Sequence, residues 1–114
     1  MPVPDLLRIT AEPLDDARLV CAAGEIDLST VAALRREVDA AREESVTVLL
    51  DLSGVTFIDS TGLHLLLEAN QSSALSDWAF FVVRPSEVVQ RLIEVSGTAD
   101  LLMMVDPTAE RVLG

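Results

Sequence analysis

The chain has 114 residues, with 19 acidic side chains against 8 basic ones and a formal net charge of −11 at pH 7. Such an acidic surface repels phosphate backbones, so we expect no direct binding of nucleic acid. No apolar run reaches the roughly 18 to 20 residues that cross a bilayer, so we expect no membrane insertion. The length and the hydrophobic half of the composition predict a single domain spanning residues 1–114. One cysteine and the absence of a signal-peptide pattern indicate a cytoplasmic protein.

The first third of the chain alternates short apolar runs with turn residues. Residues 6–11 and 18–23 are predicted strands, and the turn predicted at 13–16 makes them an antiparallel pair. Helical spacing of apolar residues begins at Thr30, and either Asp27 or Ser29 can cap this first helix.

The middle of the chain predicts a buried strand followed by a long helix. Residues 46–52 are apolar at nearly every position, which is typical of a strand covered on both faces. The chain is then predicted to turn at Ser53-Gly54. The tetrad Asp59-Ser60-Thr61-Gly62 is rich in residues that begin helices, which places Ser60 at a helix N-terminus. The spacing predicts that this helix buries Leu63, Leu66, Leu67 and Ala74.

The last third predicts a strand at 78–83, a helix at 87–96, a strand at 101–105 and a short helix opened by Pro107. Ser86 is expected to cap the helix at 87–96, and Gly97 is expected to end it. The predicted element order is ββαβαβαβα. This order indicates one α/β domain with a mostly parallel sheet and an antiparallel N-terminal pair.

Catalytic and metal sites are disfavoured by the pattern around Ser60. Ser60 and His64 are neighbours on one helix face, but a triad needs an acid on the far side of the imidazole, and Asp59 adjoins Ser60 instead. His64 is the only histidine, and no cysteine or carboxylate cluster surrounds it at metal-ligand spacing. No glycine-rich phosphate loop is present. Cys21 lies in an apolar strand and is expected to be a buried structural thiol. We therefore expect no enzymatic activity, metal or cofactor.

The exposed face of the helix that begins at Ser60 carries a polar stripe. Ser60, His64, Glu68 and Gln71 recur at spacings of four, four and three, opposite the leucines. The stripe is either a solvated helix face or a recognition surface that is switched by modification of Ser60. A phosphoryl group there would add about −1.5 to −2 charges at a position where a helix tolerates them.

Four segments together resemble the STAS domain, the family of bacterial anti-sigma factor antagonists and of sulfate-transporter tails. The segments are Gly24-Glu25-Ile26-Asp27, Val48-Leu49-Leu50-Asp51-Leu52, Phe57-Ile58-Asp59-Ser60-Thr61-Gly62-Leu63 and Ser96-Gly97. The resemblance extends from about residue 6 to residue 113. Two positions depart from the pattern, since His64 stands where Gly is usual and Thr98 where Leu is common.

The resemblance implies a partner-switching regulator of transcription. The unphosphorylated protein would bind an anti-sigma factor that is also a serine kinase, phosphorylation of Ser60 would release it, and a PP2C-like phosphatase would restore it. Asp27 and Asp59 match family positions at the partner-facing surface. The full set of residues that we expect to bind the partner is Asp27, Asp59, Thr61, Gly62, His64 and Glu68. Two alternatives stay open: a STAS subunit of a lipid-transport ABC complex, and a ligand-sensing STAS module that is not phosphorylated.

Overall fold

The computed structural model describes residues 6–102 and 104–105. The elements in chain order are β1 (Leu7–Leu14), β2 (Ala17–Ile26), α1 (Val31–Glu44), β3 (Thr47–Ile58), α2 (Ser60–Leu75), β4 (Ala79–Val83), α3 (Glu87–Val95), a 3₁₀ turn (Ala99–Leu101) and β5 (Met104–Val105). The predicted α/β class is confirmed, and so is the predicted order through β5. The helix predicted after Pro107 lies outside the described residues.

The five strands form one mixed sheet in the order β1-β2-β3-β4-β5. β1 is antiparallel to β2, and each later strand is parallel to its neighbour. Because every parallel crossover steps in the same direction across the sheet, right-handed connections place α1, α2 and α3 on one face. Side chains of all three helices accordingly share one core with this face of the sheet, including Leu34, Leu66 and Ile93.

The N-terminal hairpin is longer than the sequence predicted. β1 continues to Leu14, where Pro13 pairs with Arg18, and the turn lies at Asp15-Asp16. Proline is tolerated there because β1 is the edge strand. Asp15 adopts φ 54°, a left-handed conformation that Asp reaches more easily than most residues.

The turn predicted at Ser53-Gly54 is wrong, because β3 runs unbroken through both residues to Ile58. The register with β2 shifts twice, between Cys21 and Ala23 and again between Gly24 and Glu25. At each shift β3 supplies one more residue than β2, so these are β-bulges. Asp51 also accepts a hydrogen bond from the Ser53 N–H at 2.8 Å. The turn-forming residues therefore bend a strand instead of ending it.

The burial predicted for α2 is right for its first half and wrong for its end. Leu63 and Leu66 are buried and Leu67 is half-buried, but Ala74 is exposed and Leu65 is buried instead. Leu75 is exposed as well. The last turn of α2 therefore lacks the cover that the apolar spacing predicted.

The cap predicted for α1 is also wrong. The N-cap residue is Thr30, and its side chain makes no capping hydrogen bond. Asp27 and Ser29 lie in the preceding turn, where their side chains bond each other.

The C-terminal part follows the prediction up to the last strand. Ser86 caps α3 by accepting from the Val89 N–H, and Gly97 has φ 76° just beyond the helix end. The strand predicted at 101–105 is shorter, since a 3₁₀ turn extends through Leu101 and only Met104–Val105 pairs with β4. In the part of the chain described here, no helix is long and apolar enough to cross a membrane.

Candidate functional site

The predicted site residues gather where β2 and β3 end side by side. Ile26 and Ile58 are partners in the parallel register, and Asp27 and Asp59 follow them directly. The Asp59 N–H donates to the Ile26 carbonyl at 3.2 Å, which extends the pairing by one step. Two residues far apart in sequence thus lie next to each other at the carboxyl edge of the sheet, where α2 begins. Open α/β sheets commonly carry their sites at this edge.

Asp59 caps α2 through its carboxylate. Its Oδ1 accepts from the N–H groups of Thr61 at 2.9 Å and Gly62 at 3.3 Å. The Thr61 hydroxyl donates to the same oxygen at 2.5 Å. One carboxylate oxygen therefore satisfies two unpaired amides of the first turn and engages the threonine hydroxyl.

Ser60 is the first residue of α2, and it is exposed. Because Asp59 provides the cap, the start of the helix does not require the Ser60 hydroxyl. Thr61, by contrast, is half-buried and uses its hydroxyl on Asp59. Of the two adjacent hydroxyl residues, Ser60 is the one that a large protein partner or a modifying enzyme can reach.

Gly62 is buried and lets α2 approach the sheet closely. A Cβ at this position would lie 2.7 Å from Ile26 Cγ2 and 2.7 Å from Ile58 Cγ1. Real side chains essentially never show such distances, so any larger residue would displace the helix start. Gly62 therefore lies below the surface, where it lets the helix start that carries Asp59 and Ser60 pack against the strand ends.

Asp27 is held in a tight local hydrogen-bond arrangement. Its Oδ1 accepts from the Ser29 hydroxyl at 2.7 Å and from the Ser29 N–H at 2.9 Å. The hydrogen bond from the Ser29 hydroxyl is the largest cause lowering the pKa of the Asp27 carboxyl below its ordinary value, and burial opposes it. Asp27 is therefore a fixed negative charge beside the α2 N-terminus at neutral pH.

The polar stripe predicted on α2 is present. Ser60, His64, Glu68 and Gln71 are all exposed. Glu68 also forms an ion pair with Arg35 of α1, with 3.1 Å between Glu68 Oε1 and Arg35 Nη2. Arg35 could not be predicted as a neighbour of this stripe, because it lies 33 residues from Glu68 and only the packing of α1 beside α2 brings them together.

A cavity of about 230 Å³ lies between α1 and α2. It is smaller than most small-molecule sites, which occupy about 300 to 1,000 Å³. Its two arginines are engaged, since Arg35 pairs with Glu68 and the Arg42 guanidinium lies 4.6 Å from the Trp78 ring centroid. This cavity is therefore a poor fit for a small molecule.

Other reactive groups are few in the described part of the chain. Cys21 is half-buried, less than the sequence predicted. Burial, then the nearby Asp51 carboxylate, raises the pKa of its thiol, so the thiol is protonated at neutral pH and is a weak nucleophile. Within residues 6–102, no three or more His, Cys, Asp or Glu side chains cluster as they would to hold a metal ion.

Comparison with known proteins matches most of this chain to one family. The STAS domain profile matches residues 8–112. The chain is 33% identical over 98 residues to the anti-sigma-F factor antagonist RsfB of Mycobacterium tuberculosis, which covers 85% of this chain and 80% of that protein. It is 30% identical over 95 residues to an anti-sigma-B factor antagonist of Staphylococcus epidermidis, which covers 82% of this chain and 88% of that protein.

A solved structure shares the same fold over a larger part of both chains. The crystal structure of an anti-sigma factor antagonist from Mycobacterium paratuberculosis superposes with a TM-score of 0.79 at 28% identity. The match covers 95% of this chain and 92% of that one.

Proposed function

The chain belongs to the STAS domain family, and on that premise we propose that it is an anti-sigma factor antagonist switched by phosphorylation of Ser60. In the unphosphorylated state it binds an anti-sigma factor that is also a serine kinase, and phosphorylated Ser60 releases that partner. A PP2C-like phosphatase removes the phosphoryl group. The protein is the substrate of this chemistry and performs none of it.

The observation that carries the proposal is the exposed hydroxyl of Ser60 at the start of a helix that Asp59 caps. A kinase must bring a hydroxyl in line with a nucleotide phosphate, so the acceptor has to be accessible. Ser60 is exposed, and the carboxylate of Asp59, not the Ser60 hydroxyl, caps α2. Modification of Ser60 therefore leaves the start of the helix intact.

Release of the partner follows from charge and bulk at the same place. The carboxylates of Asp27 and Asp59 already make this edge acidic, and a phosphoryl group would add about −1.5 to −2 charges beside them. A partner packed against Ser60 would meet new volume and an altered charge at the centre of its contact. Such a local change separates two proteins without unfolding either one.

The partner surface follows from the side chains around Ser60. Asp27, Asp59, His64 and Glu68 offer hydrogen-bonding and charged groups, so the facing surface should carry basic residues. Thr61 and Gly62 contribute from below by holding Asp59 and the helix start in position.

The test is a calorimetric binding titration against the serine-kinase anti-sigma factors encoded in the same genome. Wild type and Ser60→Ala should bind one of them with similar affinity. Ser60→Asp should bind at least tenfold more weakly, and protein with phosphoserine installed at position 60 during translation should bind more weakly still.

The matched control is Ser76→Asp, which adds the same charge at the opposite end of α2 and should leave the affinity unchanged. Equal weakening by Ser60→Asp and Ser76→Asp would mean that net charge, not the site, controls binding. Co-purification with a transporter ATPase, unaffected by any of these changes, would favour the lipid-transport alternative.

A further inference from the structure

The first turn of α2 has few donors left for a phosphoryl group on Ser60. Asp59 Oδ1 accepts from the N–H groups of Thr61 and Gly62. The Asp59 N–H donates to the Ile26 carbonyl at 3.2 Å. Three of the first four amides of the helix are therefore engaged, whereas a phosphate bound by a helix N-terminus normally uses these amides itself.

The carboxylates around Ser60 also disfavour a phosphoryl group there unless a positively charged group lies nearby. Asp59 precedes Ser60 directly, and Asp27 lies beside Asp59 at the ends of the paired strands. Like charges this close repel one another. The phosphoryl group needs a positively charged partner to stay near the helix surface.

His64 is the side chain best placed to supply that charge, when its imidazole is protonated. It follows Ser60 by one helical turn, which puts it about 6 Å farther along the axis and on the same face. His64 is exposed, so its imidazole is free to turn toward Ser60. Glu68 lies one turn beyond His64 and is paired with Arg35 of α1 at 3.1 Å. The other charged groups where α1 meets α2 are Asp39 and Arg42, and the Arg42 guanidinium lies over the Trp78 ring.

We propose that His64 holds the phosphoryl group of phospho-Ser60 against the exposed face of α2. The inference rests on the proposed function only in taking Ser60 as the modified residue. An imidazolium N–H donates to a phosphate oxygen, and the pair covers the first half of the polar stripe. The modified state then blocks a partner by occupying its contact surface as well as by changing its charge.

The test is a ³¹P NMR pH titration of the full chain with phosphoserine installed at position 60 during translation. An imidazolium one turn away favours the dianionic phosphate, so the titration midpoint of the phosphate should be lower than in a neutral context. His64→Gln keeps a hydrogen-bonding side chain but removes the charge. It should raise the midpoint by about 0.2 to 0.4 pH units, the shift expected for one i, i+4 charge pair.

Arg35→Gln is the matched control, because it removes the next cation on the same face and should leave the midpoint unchanged. A midpoint that moves as much with Arg35→Gln as with His64→Gln would overturn the proposal. It would mean that the phosphate responds to the summed charge of this surface, or that Arg35 leaves Glu68 to bind the phosphate. An unchanged midpoint in His64→Gln would overturn it in favour of a phosphate free in solvent. The titration needs no kinase and no anti-sigma factor, so failure of the binding experiment above would be a separate result.

Discussion

The N-termini of α2 and α3 both follow a parallel strand, and each is capped by the side chain just before the helix. At α3 the cap is the Ser86 hydroxyl, which accepts from the Val89 N–H at 3.5 Å. At α2 the cap is the Asp59 carboxylate, which accepts from two amides and from the Thr61 hydroxyl.

The difference decides which hydroxyl is available for chemistry. Ser86 uses its oxygen to hold α3, so modification of Ser86 would disturb the start of that helix. Asp59 caps α2, so the Ser60 hydroxyl is not needed as a cap. A carboxylate cap placed before a serine thus produces an accessible hydroxyl at a helix start that does not depend on it.

The third residue of each helix marks a second difference. Val89 is fully buried in α3, whereas the equivalent position in α2 is Gly62, where Ile26 and Ile58 leave no space for a side chain. The start of α2 therefore packs more closely against the strand ends. This close packing positions Asp59 and Ser60 beside Asp27.

Replacing Gly62, the third residue of α2, with valine, the residue at the same position of α3, should produce the largest loss of stability. Gly62→Val would force side-chain atoms into Ile26 and Ile58, and we expect the free energy of unfolding to fall by about 3 kcal/mol. Urea denaturation followed by circular dichroism measures this change. The control is Ala74→Val in the exposed last turn of α2, with an expected loss of about 0.5 kcal/mol. Equal losses for the two variants would refute the close approach at Gly62.

Removing the two caps should give unequal losses. Asp59→Ala removes three hydrogen bonds and should lower the free energy of unfolding by about 2 kcal/mol, the upper end for N-caps. Ser86→Ala removes one long bond and should cost about 0.5 kcal/mol. Asp59→Asn, which keeps an accepting oxygen, should recover most of the loss. A larger loss at Ser86 in the same denaturation assay would contradict the contrast between the caps.

The smallest expected effect concerns the acidic edge beside α2. The pKa of Asp27 is lowered in the folded state, so this group contributes stability above its unfolded pKa, and the contribution is lost as the pH falls through the folded value. The loss therefore belongs to the range below about pH 4. In Ser29→Ala the Asp27 pKa should rise toward its ordinary value, as measured by carboxyl ¹³C NMR titration. A titration unchanged by Ser29→Ala would show that the Ser29 hydroxyl is not its cause.

The placement of Ser60 could be predicted from the sequence because it depends on local chemistry. An apolar strand, the capping tetrad at 59–62 and helical leucine spacing are all contained in one short stretch. The same holds for Ser86 and Gly97 around α3. These signals act over a few residues, so the sequence alone is enough to predict them.

The features that the sequence did not reveal depend on packing between distant segments. Ser53-Gly54 has turn chemistry, but pairing with β2 keeps β3 extended and turns the extra residues into bulges. The burial of Gly62 against Ile26 and the ion pair of Arg35 with Glu68 likewise require the assembled fold. Spacing within one helix gives no information on which neighbour covers it.

Phosphorylation of Ser60 can be tested by mass spectrometry of the chain after incubation with ATP and the genome's serine-kinase anti-sigma factors. One of these kinases should add a single phosphate, fragmentation should place it on Ser60, and Ser60→Ala should acquire none. Phosphate on Ser86 or Thr61, or no added mass with any of these kinases, would refute Ser60 as the switch.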